Sequence, residues 1–333
     1  MKKQAVTMKD VAKKAGVTQP TVSHVINGTA SISTAVKERV FAAIKELNYR
    51  PNALAKGLKT NSTKTIGLIM PDITNSYYAC IAKEMEQLLI EKGYMTFFSS
   101  TNYSRDSEMR LVDKMMRYNV DGIFVMFEFL NEEPLKTLQQ YGIPAVVLDD
   151  DAEQFIKSKI NMDNELGGYL ATKHLIERGR KRIAFAAEKA GILAMKDRFE
   201  GYKRALKEAG LPVDDAIVLR DETLQYRFDA GHDYGKQLVA KKIDGIFAST
   251  DMVALGVLRS FADQGIKVPD DIAVVGYDDI PLAELATPAL TTMSQPAEKV
   301  AKAAMEQLLV QIAGEGEGEK VVVNPQLVVR ETT

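Results

Sequence analysis

Five polar side chains crowd a short segment near the start of the chain, inside a strongly basic region. They are Gln19, Thr21, Ser23, His24 and Asn27. Residues 1–64 carry 12 Lys and Arg against 3 Asp and Glu, a net charge of +9, whereas residues 65–333 carry 31 against 42, or −11. A basic segment joined to an acidic remainder is typical of a part that binds a polyanion. A solvated lysine-rich tail has the same charge, so the pattern inside the segment has to decide.

The apolar residues of this segment predict two short helices joined by a tight turn. The first covers residues 7–15, capped by a threonine, because four apolar residues recur at helical spacing: Met8, Val11, Ala12 and Ala15. A glycine ends it, and Thr18 caps a second helix over residues 19–26, with Val22 and Ile26 facing the core. Such a pair is a helix-turn-helix, whose second helix can enter the major groove of DNA. A third helix over residues 34–47 supplies further core side chains, namely Val36, Val40, Ile44 and Leu47.

These residues, in this order and spacing, resemble the DNA-binding head of the lactose-repressor (LacI) family. The matching stretches are MKDVAKKAGVTQPTVSHVING and ELNYRPNALAKGLK. The resemblance implies a head over residues 1–50 whose second helix reads bases with Gln19, Pro20 and His24, where glutamine suits adenine and proline suits a thymine methyl group. Hydroxyl groups there suit phosphate contacts or helix caps. The implied DNA-binding residues of the head are Thr7, Thr18, Gln19, Pro20, Thr21, Ser23, His24 and Asn27.

Residues 51–64 resemble the hinge helix and linker of the same family. The resemblance implies a short helix that folds only on DNA and pairs with its twin in the minor groove, where Leu58 wedges between base pairs. Its implied DNA-contacting residues are Asn52, Ala55, Leu58 and Lys59. A helix this short is marginal alone, and Gly57 weakens it further. The alternative for Leu58 is an ordinary linker residue that packs on the head.

From residue 65 onward, short apolar runs alternate with amphipathic stretches, which predicts parallel βαβ units with helices on both faces of a doubly wound α/β sheet. The predicted strands are 66–70, 95–99, 122–126, 145–148, 183–187, 245–249 and 272–276, with helices at 79–92 and 198–209 among those between them. The motif Asp-Gly-Ile-Phe occurs at residues 121–124 and again at 244–247, which indicates two similar subdomains. We predict a first subdomain over about 65–162 plus 293–320 and a second over 163–292 plus 321–333. This layout resembles the periplasmic sugar-binding fold that forms the family's sensor core.

Polar residues after these strands predict a ligand site in the cleft between the two subdomains. The candidates are Asp72, Asn75, Tyr77, Tyr78, Asp149, Arg198, Asp251 and Asp278. Carboxylates accept hydroxyl protons, an arginine donates a fork of N–H groups, and aromatic rings stack on C–H faces, which is the chemistry of polyol recognition. By family position, the two tyrosines line the pocket and Arg198 is its arginine. A strand-end aspartate is often only a helix cap, and a tyrosine often only packs.

The sequence leaves the small-molecule effector open. Residues 190–194 are apolar where nucleobase-responsive members have a polar pair, which favours a sugar or sugar derivative. Catabolite-control regulators, which use a protein corepressor, tend to have arginine where this chain has Thr287 before Pro288. Both classes stay open as alternatives to a sugar-responsive repressor. The resemblance further implies a palindromic double-stranded DNA operator and a homodimer or tetramer; it leaves the choice between inducer and corepressor undecided.

Other classes of function lack their motifs. The chain has no phosphate-binding glycine motif, no nucleophile elbow and no His or Cys pattern for a metal, so we expect neither an enzyme nor a cofactor or metal. Cys80 is the only cysteine, which fits a reducing cytosol. No apolar run reaches the roughly 18 residues of a membrane span, and the start lacks the apolar region of a signal peptide. We therefore expect a cytoplasmic protein without membrane contact; an exported solute-binding protein would not explain the basic head.

Overall fold

The computed structural model describes residues 6–50, 62–126, 132–148, 155–187, 193–220 and 227–333. The chain divides between Thr63 and Lys64 into two compact units. The smaller unit contains the head, with helices α1 (Met8–Ala15), α2 (Gln19–Asn27) and α3 (Thr34–Glu46). The larger unit, which we call the body (residues 64–333), contains two six-stranded sheets with helices on their faces. This is the predicted fold class.

Capping interactions fix where the first two helices of the head begin. The Thr7 amide nitrogen and hydroxyl both donate to Asp10 Oδ2, at 2.9 and 2.7 Å. α1 is followed by Gly16, whose φ of +65° lies in the left-handed region that glycine adopts without steric cost. At the start of α2, the Thr18 hydroxyl oxygen accepts a hydrogen bond from the Thr21 amide at 3.4 Å. Both caps lie where the sequence predicts them.

Each helix of the head buries one valine completely, and these are Val11, Val22 and Val40. On α2 the second buried residue is Val25, whereas Ile26, which the sequence predicted to face the core, packs only at its edge. On α3 the buried residues are Val40 and Ala43, and the predicted core residues Val36, Ile44 and Leu47 are partly buried around them. Periodicity identifies the apolar side of a short helix, but the tilt of that helix on its neighbours decides which residues lie deepest.

The first sheet of the body has the strand order β11-β5-β4-β3-β1-β2, and its neighbouring strands are parallel. Its strands are β1 (Thr65–Met70), β2 (Met95–Ser100), β3 (Gly122–Met126), β4 (Ala145–Leu148), β5 (Lys159–Met162) and β11 (Lys320–Val323). Its helices are α4 (Ser76–Glu91), α5 (Arg105–Arg117), α6 (Glu132–Gln140) and α12 (Ala297–Ile312). One face of the sheet packs against α4 and α12, and the other against α5 and α6.

The second sheet repeats this plan with the order β12-β10-β9-β8-β6-β7, in which only β12 is antiparallel to its neighbour. Its strands are β6 (Ile183–Ala187), β7 (Val218–Arg220), β8 (Gly245–Ala248), β9 (Ala273–Asp278), β10 (Thr291–Ser294) and β12 (Gln326–Val328). Its helices are α7 (Asn164–Glu177), α8 (Leu193–Glu208), α9 (Arg227–Val239), α10 (Asp251–Asp263) and α11 (Pro281–Leu285). α7 and α8 cover one face, and α9 and α10 cover the other.

The repeated Asp-Gly-Ile-Phe motif has the same role in both sheets. Asp121 Oδ2 accepts a hydrogen bond from the Lys64 amide at 3.1 Å, just before β1. Asp244 Oδ2 accepts one from the Lys181 amide at 2.8 Å, just before β6. Each aspartate directly precedes a central strand, β3 or β8, and ties it to the start of the neighbouring strand. The repeat in the sequence is therefore a repeat in the structure.

The structure adds five strands to those that the sequence predicted, and these are β5, β7, β10, β11 and β12. They are short, and several contain polar residues, so they lack the continuous apolar run of a buried strand. β10 pairs with β9 through residue 294, and β11 pairs with β5 through residue 323. The predicted subdomain boundaries at 293 and 320 fall inside these strands and move to follow residues 294 and 323.

Candidate functional site

Most polar side chains of α2 lie on one side of the helix, and its core valines lie on the other. At about 100° per residue, positions 19, 20, 23, 24 and 27 fall within about 140° of the helix surface. Gln19, Pro20, His24 and Asn27 are exposed there, and Ser23 is half-buried. The exposed side of α2 therefore offers the side chains that the family resemblance assigns to DNA.

Hydrogen bonds within the head hold several of these side chains. The His24 ring nitrogen Nδ1 lies 2.8 Å from the Thr29 hydroxyl, which orients the ring and leaves Nε2 for an outside partner. The Asn27 amide nitrogen donates to the Ser23 carbonyl at 2.9 Å. The Thr18 and Thr21 hydroxyl oxygens lie 2.9 Å apart at the start of α2, so both belong to the helix cap. Thr29 is a positioning residue that sequence reasoning missed.

The charges around α2 favour an anionic partner. The first turn of α2 contains no acidic side chain that would offset the positive end of the helix dipole. On α1, three exposed lysines follow one another closely: Lys9, Lys13 and Lys14. Of these, Lys14 pairs with Glu46 at 2.6 Å on the surface. Phosphates suit such a surface.

Several predicted site residues lie outside the described residues. These are Asn52, Ala55, Leu58 and Lys59 in the hinge segment and Asp149 after β4. The same holds for residues 190–192 in the apolar stretch before α8.

The predicted ligand residues after β1 divide into two kinds. Asp72 Oδ1 accepts hydrogen bonds from the amide and hydroxyl of Thr74, both at 2.8 Å, and so stabilises the turn. Asn75 Oδ1 accepts from the Tyr77 amide at 3.1 Å and caps α4. Tyr77 is buried and Tyr78 half-buried, with ring centroids 5.3 Å apart. The tyrosines therefore form an aromatic pair on α4, while Asp72 and Asn75 shape the segment that leads into it.

Arg198 is the centre of a buried polar cluster in the second half of the body. Its Nε donates to Asn164 Oδ1 at 2.9 Å, and its Nη1 donates to the Ser249 carbonyl at 2.6 Å. The guanidinium carbon stacks 3.6 Å from the centroid of the Tyr277 ring. The carboxylate of Asp278 lies 3.9 Å from Nη1, so the cluster holds a charge pair at the end of β9. The sequence predicted Arg198 and Asp278, and the structure brings them together.

Close helix packing places Arg198 at this point. Gly168 on α7 lies against the backbone of α8, and a Cβ atom there would be 2.0 Å from the Arg198 carbonyl oxygen. Any larger residue at 168 would push the two helices apart, because this contact is with backbone and cannot be relieved by a side-chain rotation. The glycine therefore sets the depth at which the guanidinium enters the cluster.

The turn after β9 holds two consecutive aspartates in the left-handed region of backbone conformation. Asp278 has φ of +116° and Asp279 has φ of +56°, which is unfavourable for residues with a Cβ atom. Gln295 Nε2 donates to Asp278 Oδ1 at 2.6 Å, and Arg330 Nη2 donates to Asp279 Oδ1 at 2.7 Å. These contacts hold the strained turn in place.

Asp251 is completely buried beneath this turn. Its Oδ1 accepts from the Thr292 hydroxyl at 2.5 Å, and its Oδ2 accepts from the Ile280 amide at 2.9 Å. Burial, together with the nearby charge of Asp278, raises the pKa of Asp251 well above its usual range. Both oxygens are occupied inside the protein, so the geometry gives Asp251 a part in supporting the Asp278 turn rather than a surface of its own in the cleft.

A cavity of about 270 Å³ lies between the two halves of the body, beside Asp278. From the first half, α4 contributes Tyr77, Cys80 and Glu84. The other side includes Asp278 together with Gln295 and Glu298, which flank the point where the chain returns from the second sheet to the first. Two of the predicted ligand residues, Tyr77 and Asp278, line this cavity, one from each half of the body. The other described candidates do not line it, and these are Asp72, Asn75, Tyr78, Arg198 and Asp251.

Three polar residues of this region that the sequence analysis missed follow strands that it also missed. Asn164 follows β5, Gln295 follows β10 and Arg330 follows β12. A polar residue directly after a strand indicates a site, but this indication can be used only when the strand itself has been predicted.

A DNA-reading helix in one unit and a ligand-sized cavity in a periplasmic-binding-protein-like body define the class of ligand-responsive transcription regulators. Residues 7–52 match the family model "Bacterial regulatory proteins, lacI family", and residues 172–333 match "Periplasmic binding protein-like domain". The chain is 38% identical to the HTH-type transcriptional repressor PurR of Vibrio parahaemolyticus over 98% of both chains. It is 37% identical to the ribose operon repressor of Escherichia coli over 92% of this chain and 93% of that one. The protein belongs to the LacI family of bacterial transcription regulators.

A solved structure of the lac repressor dimer, bound to operator and the anti-inducer ONPF, has the same fold. It matches with a TM-score of 0.87 and 25% identity, covering 99% of each chain. Because the relatives are named repressors and the family model is that of DNA-binding regulators, the chain is a DNA-binding transcriptional repressor and not an enzyme.

In the part of the chain that the structure describes, no three His, Cys, Asp or Glu side chains are grouped closely enough to hold a metal ion. None of the helices in the described ranges combines the length and apolar character that a bilayer crossing needs. Cys80 is half-buried with a free thiol.

Proposed function

We propose that this repressor controls genes for the use of a small carbohydrate, and that the carbohydrate sets its operator affinity by binding between the two halves of the body. The observation that carries this proposal is the cluster of Arg198, Tyr277 and Asp278 beside the cavity. Arg198 holds Asp278 in place, and the cavity lining then offers the Asp278 carboxylate as an acceptor and the Tyr77 ring as an aromatic group, which suit a polyol. The similarity to a ribose operon repressor supports the same class of effector.

The switch follows from linkage between two sites. A ligand held by residues of both halves of the body favours one arrangement of those halves over another. In a homodimer, a different arrangement of the halves changes the spacing of the two heads and the two hinge helices, and with it the operator affinity. By linkage, the ligand changes operator affinity by the same factor as the operator changes ligand affinity. The DNA contacts in this proposal are those of α2 and of the hinge residues Asn52, Ala55, Leu58 and Lys59, on a palindromic operator in the cytoplasm.

A homodimer suits the exposed apolar side chains around β2, which is the edge strand of the first sheet. Five large apolar side chains are exposed in this region: Ile90, Met95, Phe97, Phe98 and Tyr118. An exposed edge strand with an apolar surface favours association with a second copy of the chain. Sedimentation of the full chain, with Phe98→Glu as the disrupting variant, tests this; monomeric wild-type protein at micromolar concentration would contradict it, and a higher mass would reveal a tetramer.

A nucleobase effector is the second candidate, favoured by 38% identity to a repressor named PurR. Against it stand the apolar residues 190–194, which offer no side-chain hydrogen bonds to a base. Binding measurements with sugars and with nucleobases distinguish the two candidates.

The test is a titration of the full-length protein on its own promoter DNA, followed by fluorescence anisotropy. Ribose, other pentoses, hexoses and disaccharides form one panel, and hypoxanthine and guanine form the other. We expect a member of the sugar panel to change the operator affinity by about fivefold or more, within the usual range of allosteric coupling. A response to the bases alone would replace the sugar by a nucleobase, and no operator binding under any condition would contradict the reading as a whole.

A further inference from the structure

The cavity beside Asp278 has four carboxylates in its lining and no cationic side chain among its described lining residues. Carboxylates reach it from α4 through Glu84, from the turn after β9 through Asp278 and Asp279, and from the start of α12 through Glu298. Burial raises the pKa of the Cys80 thiol, so this side chain stays neutral and the charge of the pocket comes from the carboxylates. Arg198 and Arg330 approach the aspartates but are not part of the lining.

Only half of this negative charge is compensated within the described part of the protein. Asp278 lies 3.9 Å from the guanidinium of Arg198, and Asp279 is 2.7 Å from that of Arg330. Glu84 is half-buried and Glu298 exposed at the rim, and among the described residues neither has a cationic side chain within ion-pair distance. Two carboxylates therefore face a shared space without a positive charge of their own.

A buried amide adds an independent indication that something donates into this space. Gln295 is only 4% exposed and lines the cavity. Its Nε2 donates to Asp278 at 2.6 Å, which fixes the orientation of the amide, because a carboxylate can only accept. The Gln295 carbonyl oxygen Oε1 is then left buried without a hydrogen-bond partner. Burying an amide oxygen without a hydrogen bond is unfavourable, so a donor in the pocket would stabilise it.

We propose that this pocket receives a protonated primary amino group of the effector, so that the effector is an amine-bearing small molecule such as an amino sugar. This inference rests on the proposed function, since it names the class of ligand at the same site. An ammonium group has three N–H donors and a positive charge, which matches one amide oxygen and two uncompensated carboxylates. A volume of about 270 Å³ accommodates a small organic group of this kind.

Matched pairs of amine and hydroxyl ligands test the proposal on the full-length protein by calorimetry. The pairs are glucosamine with glucose, galactosamine with galactose, and ethanolamine with ethylene glycol, in phosphate buffer because Tris is itself a primary amine. We expect an amine to bind at least about tenfold more tightly than its hydroxyl partner, as a charge-assisted hydrogen bond provides. Glu84→Gln and Glu298→Gln should each reduce that ratio severalfold, whereas Glu86→Gln, which removes the same charge from α4 away from the pocket, should leave it unchanged.

Four outcomes overturn the proposal. They are equal binding of amines and hydroxyl partners, an amine preference that survives both pocket substitutions, displacement of the amine by manganese chloride at equal concentration, and tight amine binding that leaves operator affinity unchanged. A neutral sugar that shifts operator affinity without any amine preference would overturn this inference and leave the proposed function standing. The two failures are therefore distinguishable.

Discussion

The head and the body assemble their functional side chains in different ways. In the head, the base-reading candidates Gln19, Pro20 and His24 lie within six consecutive residues of α2. In the body, the side chains around the cavity come from α4, from the turn after β9 and from the segment after β10. The first and last of them, Tyr77 and Glu298, are more than 200 residues apart in the sequence. A local change can therefore alter DNA reading alone, whereas the ligand site depends on how both sheets are built.

The two regions also differ in how exposed their polar side chains are. On α2, Gln19, His24 and Asn27 are exposed, and the ring of His24 is oriented by Thr29. In the body, Arg198 and Asp251 are buried and almost fully engaged with the protein itself. The head thus offers exposed polar side chains to a partner, whereas the polar side chains of the body form a buried network.

The largest expected effect comes from separating the two regions. Removing residues 1–60 should abolish operator binding completely, because the basic surface and α2 are lost together. Ligand binding by the remaining body should persist, since residues 64–333 form their own compact unit. Anisotropy with operator DNA and calorimetry with the effector measure the two activities. Residual sequence-specific DNA binding by the truncated protein would contradict the assignment of operator binding to residues 1–60.

Next in size is the effect of Arg198→Lys. A lysine keeps the charge but loses the planar fork that reaches Asn164 and Ser249 at once. We expect effector affinity to fall by about tenfold to a hundredfold, the equivalent of about 1.5–3 kcal/mol for hydrogen bonds of a charged group. The matched control is Arg204→Lys, on the same helix but on the surface, where the arginine pairs with Glu165. Comparable losses in both variants would contradict a specific role for Arg198.

A smaller effect is expected from Leu58→Ala in the hinge segment. If this side chain wedges into the minor groove, its loss should weaken specific operator binding by about tenfold, because unstacking and bending of the duplex are no longer compensated. Binding to non-operator DNA should change little, since phosphate contacts carry it. Parallel titrations with both DNAs check this. An equal loss on both would refute the wedge and leave Leu58 as a linker residue.

Within the head, Thr29→Val should have a modest effect confined to one base pair. The substitution keeps the shape of the side chain but removes the hydroxyl that lies 2.8 Å from His24 Nδ1. Loss of one hydrogen bond of about 0.5–1.5 kcal/mol predicts roughly threefold to tenfold weaker discrimination at the base pair that faces His24. Thr29→Ser should retain wild-type discrimination because it keeps the hydroxyl. Binding to a set of single-base operator variants provides the measurement.

The smallest expected effect concerns the stability of the body against pH. His174 on α7 is buried, and burial followed by the charge of Arg178 lowers its pKa below the ordinary value of 6.5. The unfolded chain therefore takes up a proton on this residue before the folded protein does, so the body should lose stability as pH falls below about 6.5. His174→Gln should lack this part of the pH dependence. Thermal melts of both proteins across this pH range measure the effect. If the melting temperatures of the two proteins depend on pH in the same way, the prediction is contradicted.

What could be predicted from the sequence follows the same contrast. Helix starts at Thr7 and Thr18 were predictable because caps depend on a few adjacent residues. The depth of Ile26 was not, because it depends on the tilt of α2. In the body, long apolar strands such as β1 and β3 were predictable, and the repeated aspartates Asp121 and Asp244 identified the tandem halves.

The other residues of the proposed ligand site could not be predicted from local patterns. Gln295 is significant only because β10 pairs with β9, which brings it to Asp278. Asp251 looked like a ligand residue from its place after β8, but its burial and its bond to Thr292 depend on that same pairing. Polar residues gain their roles from neighbours in the sheet that are distant in sequence.

The central claim is that a small molecule in the body and an operator on the head are linked through one chain. The most direct measurement is the pair of coupling factors, with operator affinity measured with and without saturating effector, and effector affinity with and without saturating operator. Linkage predicts that the two factors are equal, and that Arg198→Lys weakens effector binding while the effector-free operator affinity is preserved. An effector that binds the full-length protein tightly and leaves operator affinity unchanged would contradict the account.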